Sequence, residues 1–205
     1  LATDLNIRVI SNLKTTEFFM LYQQDINLNV KNFKVGAWEN SHIAPGAQFY
    51  TTLPLSIEAQ GRKDDDNTVY KTKLIQTDYN NSYEIYDNAE GLDIKSSSLT
   101  APTDNTMNIY NSTNSQVQGV VLKDSKPLFS AIIRPDNKLN FSINPSIYVA
   151  ISDFFIEQEF FDAATLSPLT RINYEGQSYL TIILGENVGT GKFTVDYNFD
   201  LFDLA

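Results

Sequence analysis

The chain has no cysteine, one histidine, one tryptophan and two methionines in 205 residues. Without cysteine it has neither disulfides nor thiolate metal sites, although that absence does not place the compartment. The single histidine, His42, excludes a metal site built on two imidazoles, and a Ser-His-Asp arrangement would need partners the sequence does not single out. Beside the Pro45-Gly46 turn, His42 reads as a solvated loop residue. Cations are scarce as well: 15 Lys and Arg stand against 25 Asp and Glu, a formal net charge of −10. An acidic chain with scattered cations has no phosphate-neutralising face, which excludes nucleic acid as a partner. The longest apolar runs, such as YLTIIL at Tyr179–Leu184, fall far short of the ~18 residues needed for a transmembrane helix, so no transmembrane segment is expected. The sequence opens at Leu1 with neither a basic nor an apolar leader, and the expectation is a processed or trimmed N-terminus.

What the chain does have is alternation. Leu5, Ile7 and Val9 alternate with Asn6 and Arg8, and Ile26, Leu28 and Val30 with Asn27, Asn29 and Lys31. LFSAIIR, SIYVAIS and YLTIIL read as strands buried on both faces. KFTVDYNFDL places Phe193, Val195, Tyr197, Phe199 and Leu201 on one face. Breakers at APG, GRKDDDN, NAEG, RPDN and ENVGTG separate these runs. The glycines and lysine of LGENVGTGKF do not make a phosphate cradle. Gly185 stands one residue too far from Gly191-Lys192, and Phe193 offers no hydroxyl to a metal ion, so ENVGTG is a hairpin turn. These patterns predict an all-β, predominantly antiparallel β-sandwich, jelly-roll-like, with at most one short helix, its best candidate being Ser152–Leu166. One domain over 1–205 is expected, with a loop-rich insertion at about 77–114, where Asn, Ser, Thr and Asp dominate.

Three sets of residues offer chemistry. Asp64, Asp65 and Asp66 are consecutive carboxylates that could attract a cation, but they lack the alternate-position spacing of a calcium loop and read as a solvated turn; no metal site or other cofactor is assigned. Glu157 and Glu159 would share one side of a strand, as a glycoside-cleaving carboxylate pair requires, yet they equally suit a charged edge that discourages strand pairing. Their stretch EQEFFD resembles the E-x-D-x-x-E strand of β-jelly-roll glycoside hydrolases, with different carboxylates in the second and third slots. Trp38, with Tyr22, could make a sugar-stacking platform, or could pack under a turn as core.

Two regions resemble the RhiA-domain proteins, a bacterial, rhizosphere-expressed family. In the first, Tyr22, Gln23, Asp25, Ala37, Trp38, Pro45, Gly46 and Phe49 match a pattern of F-x-x-Y-Q, an A-W pair and P-G before an aromatic strand. In the second, Pro135, Asp136, Phe141, Pro145, Tyr148 and Ile151 carry the likeness. The resemblance covers about two thirds of the chain through packing and turn residues, so it bears on relatedness more than on activity. It implies a bacterial, community- or host-associated product and brings no catalytic residue.

The expectation for function is therefore a non-enzymatic structural or surface protein, secreted or on the cell surface, whose partners are other copies of itself. Both ends are strand-like, and Leu5, Ile7, Val9, Phe199 and Leu201 are the candidate residues for adding a strand to a neighbour's sheet. The alternatives are a glycan-binding module using Tyr22 and Trp38, then a glycoside hydrolase using Glu157 and Glu159.

Overall fold

The computed structural model describes residues 4–24, 33–98, 106–151, 160–162 and 170–204. In chain order its strands are β1 (Leu5–Ser11), β2 (Glu17–Tyr22), β3 (Lys34–Gly36), β4 (Glu39–Ile43), β5 (Gln48–Leu53) and β6 (Ile57–Asp65). Next come β7 (Thr68–Lys71), β8 (Ile75–Thr77), β9 (Ser82–Asn88), β10 (Gly91–Ser97), β11 (Met107–Asn111), β12 (Val117–Lys123) and β13 (Lys126–Ile133). The last are β14 (Lys138–Phe141), β15 (Ser146–Ile151), β16 (Phe160–Asp162), β17 (Thr170–Asn173), β18 (Tyr179–Glu186) and β19 (Phe193–Asn198).

No helix occurs among the described residues. The strands form four sheets, ordered β19-β18-β1-β5, β10-β9-β11-β14, β17-β15-β2-β4 and β16-β3-β13-β12-β6-β7, with β8 also pairing β6. Only the β1–β18 and β9–β11 pairings are parallel among the described residues. The all-β, mostly antiparallel expectation therefore holds. Most of the helix candidate Ser152–Leu166 lies outside the described residues, and its Phe160–Asp162 portion is strand.

One connected core draws side chains from all four sheets. β1 shows why: its alternation turns Leu5, Ile7 and Val9 inward, all buried, while β18 and β5 occupy its two edges. Each such aliphatic side chain contributes about 1.5–3 kcal/mol by leaving water.

The segment expected to be a loop-rich insertion of exposed loops and short outer strands carries three strands among its described residues. Between 77 and 114 it supplies β9, β10 and β11, with Tyr83, Ile85, Ile94, Met107 and Ile109 in the core. Its asparagines misled a reading by composition, because some are interior network residues rather than solvent seekers. Buried Asn111 donates from Nδ2 to the carbonyls of Ser115 (2.8 Å) and Ile133 (2.9 Å) and accepts from Thr113 N–H (2.9 Å). The expected breaker GRKDDDN, Gly61–Asn67, holds a turn at its end: the chain reverses at Asp66-Asn67, both at positive φ, in a two-residue hairpin, while Gly61 lies within β6, where a Cβ would come 2.9 Å from Ile85.

Candidate functional site

The sugar platform does not form. Trp38 and Tyr22 are buried rather than displayed, which corrects their reading as ligand-binding residues. The indole Nε1–H donates to the Lys123 carbonyl at 3.3 Å, and Lys126, ion-paired with Glu39, stands 5.5 Å from the ring centroid. An indole fills more core volume than any other side chain here, and the backbone carbonyl satisfies its one polar group. Tyr22 stacks on its cross-strand partner Tyr148 with centroids 5.3 Å apart, and its hydroxyl finds no hydrogen-bond partner. Burial, with Tyr148 alongside, lifts this phenol well above the usual tyrosine range. On the far side of Tyr148 stands its β17 partner Arg171.

The N-terminal assembly residues are likewise corrected. Leu5, Ile7 and Val9 sit on an interior strand whose two edges are both paired, so neither their side chains nor their backbone can be offered to another molecule. His42 lies on β4, exposed, edge-on to Phe18 at 5.0 Å, rather than in a loop. Asp64 and Asp65 occupy consecutive β6 positions and so face opposite sides, while Asp66 turns away at the hairpin tip. Glu157 and Glu159 lie outside the described residues.

The C-terminal end is different. Among the described residues β19 pairs only with β18, so one side of it is an open sheet edge. The hairpin closes with Asn187 N–H bonded to the Lys192 carbonyl at 2.8 Å, and Gly191 supplies the positive φ, as the turn reading of ENVGTG required. Antiparallel pairs alternate between bonded and non-bonded. Counting from the Asn187–Lys192 pair, Thr194, Asp196 and Asn198 bond to β18, and the backbones of Phe193, Val195 and Tyr197 face outward. Of the face expected to be apolar, Phe193, Val195 and Phe199 pack against the core, but Tyr197 is 46 % and Leu201 76 % exposed. Past β19 the described residues form no strand; Phe202 holds them down, packed against Tyr179 (5.3 Å) and Tyr50 (6.1 Å) with the Arg8 guanidinium 4.6 Å from its ring. Leu201 and Leu204, to either side of that anchor, remain in solvent.

A second feature escaped the sequence. Arg62 on β6 comes within 5.6 Å of the Phe160 ring on β16, four positions away in the sheet. Four strand spacings amount to about 19 Å, a gap that the long Arg62 side chain and the Phe160 ring bridge by lying across the same face of the sheet. The sheet bears a cleft of ≈ 240 Å³ lined by Lys34, Arg62, Asp64, Gln116, Gln118 and Ile132, among others. Buried Arg62 donates from Nε to Gln60 Oε1 at 3.0 Å, and Gln118 Nε2 donates to Ser130 Oγ at 2.9 Å. The only signal for the cleft was Arg62 and Gln118 at inward positions, and Arg62 was masked by the DDDN run behind it.

A further buried cation, Lys123 at the end of β12, donates from Nζ to the Pro54 carbonyl at 2.5 Å. Desolvation lowers its pKa from 10.5 to about 8, against the smaller opposing pull of Asp4.

Fold and edges together define an all-β protein of mostly antiparallel sheets with an open C-terminal strand. The RhiA family profile matches residues 2–198, nearly the whole chain, and the chain belongs to the RhiA family. No curated protein and no solved structure matches it.

Proposed function

We propose that this protein is a non-enzymatic structural protein that self-associates, the open edge of β19 adding to a sheet of another copy. The observation that carries the reading is that edge, with three outward-facing backbones beside exposed Tyr197 and Leu201. Bare edges template strand addition, and monomeric β proteins ordinarily blunt them with charge, proline or cover. Here the polar Thr194 and Asp196 are positions whose backbones bond to β18, and the outward-facing positions Phe193, Val195 and Tyr197 carry no charge and no proline. Main-chain hydrogen bonds would supply affinity and the alternate side chains specificity. A single contact of this length is weak against the entropy of association, so assembly depends steeply on concentration.

Sedimentation velocity and electron microscopy over a wide concentration range test the reading. The protein should pass from monomer to ordered polymers. Tyr197→Pro should stop this while the fold persists, because it removes an outward N–H and no bond to β18. A wild-type monomer at every concentration would contradict the proposal.

The cleft favours a second reading, capture of a small polar ligand such as a glycan fragment between Lys34, Gln118 and Ile132. Titration calorimetry with a sugar panel, repeated on Lys34→Ala, tests it; no heat from any sugar would dismiss it.

A further inference from the structure

The open C-terminal edge needs a receiving edge, and the seven-stranded sheet holds one. β7 pairs only with β6 among the described residues, and all four of its residues are exposed. Val69 and Tyr70, which project to opposite faces, are 54 % and 49 % exposed, so each face of the strand keeps an accessible apolar side chain, although β10 approaches it. The Thr72 N–H bonds to the Gly61 carbonyl at 2.9 Å, and by the same alternation Thr68 and Tyr70 bond to β6. The backbones of Val69 and Lys71 therefore face outward.

Charge separates the two edges. On β19 and just past its end stand Asp196 and Asp200, neither paired with a cation among the described residues. At the end of β7 stand Lys71, which has no anionic partner among the described residues, and Lys73, held only by an exposed pair with Asp93 at 3.3 Å. Two copies of β19 set side by side would bring aspartates together, and two copies of β7 would bring lysines together. Opposed like charges destabilise strand pairs, whereas β19 against β7 joins acid to base and exposed apolar side chains to exposed apolar side chains.

We propose that self-association is head to tail, the β19 edge of one copy pairing with the β7 edge of the next. This rests on the self-association reading above and names the second surface. Charge also chooses the direction. In a parallel alignment with Tyr197 beside Lys71, Asp200 at the end of β19 comes toward Lys73; in an antiparallel one it comes toward Asp65 and Asp66 at the hairpin tip. Because the two surfaces differ, the contact leaves one of each free on every pair and repeats, giving a filament or a ring rather than a closed dimer.

The test is a charge swap read by sedimentation velocity, with circular dichroism melts confirming the fold. One variant carries Lys71→Glu and Lys73→Glu, the other Asp196→Lys and Asp200→Lys; all four sites are on the surface. Each alone should need at least tenfold more protein than wild type to assemble. Mixed in equal amounts they should copolymerise, and a chain carrying all four substitutions should assemble by itself. Assembly of either pair variant at the wild-type concentration, or failure of both the mixture and the folded fourfold chain, would overturn the head-to-tail contact while leaving self-association standing. A wild-type protein that never assembles would overturn both.

Discussion

Raising the pH should stabilise this fold through one side chain, Lys123. It is almost wholly buried, and its ammonium has the Pro54 carbonyl as hydrogen-bond partner and Asp4 as the nearby compensating charge. A pKa lowered from 10.5 to about 8 means that below pH 8 the folded chain holds a charge it would rather lose. At ~1.36 kcal/mol per unit the cost is about 3 kcal/mol at neutral pH. The sign follows from proton counting: between the two pKa values the unfolded chain binds the extra proton, so stability rises with pH through that window. From pH 7 to pH 9 the gain from this one group is about 1.4 kcal/mol. Lys123→Met removes the titration along with the hydrogen bond to Pro54, and leaving that carbonyl bare costs about 1–3 kcal/mol. The variant should therefore be no less stable than wild type at pH 7 and should fall behind as the pH rises. Urea unfolding of both proteins at pH 7, 8 and 9 measures the difference. Parallel profiles, or a wild type that weakens relative to Lys123→Met over this range, would refute the reasoning.

Gly36→Ala should destabilise by about 3 kcal/mol, because its Cβ would stand 2.2 Å from the Pro127 carbonyl oxygen and the backbone of β13 cannot step aside; thermal melts report it. Tyr22→Phe should be neutral or stabilising by about 1 kcal/mol in urea unfolding, since the hydroxyl it removes is buried and unpartnered. Val9→Asp should abolish the fold, with a loss above about 4 kcal/mol seen as vanished strand signal in circular dichroism, because it places a lone carboxylate in the core.

Much of the fold is legible from alternation because the signal is local: Leu5, Ile7 and Val9 announce a strand with one buried face regardless of what covers it. Which strands lie inside a sheet is not local. β1 became interior only because β18, far along the chain, came to lie parallel beside it, and that pairing turned a candidate docking strand into core. The same limit hid the cleft, since its lining comes from β3, β6, β12 and β13, which only the sheet order brings together. Trp38 was open to two readings in sequence, and its hydrogen bond to the Lys123 carbonyl chooses core. The stretch after Thr77 was misjudged on composition, because an asparagine bonding two buried carbonyls looks identical, in sequence, to one in a turn. The C-terminal alternation was legible, but not that Phe202 would dock and leave Leu201 and Leu204 outside.

Amide hydrogen exchange across the assembly transition tests the central claim most directly. In the monomer Thr194, Asp196 and Asn198, bonded to β18, should exchange slowly, and Val195 and Tyr197, facing outward, should exchange fast. If copies join through this edge, Val195 and Tyr197 become protected as polymers form, while their neighbours change little. Polymers in which those two amides keep exchanging as fast as in the monomer would contradict it.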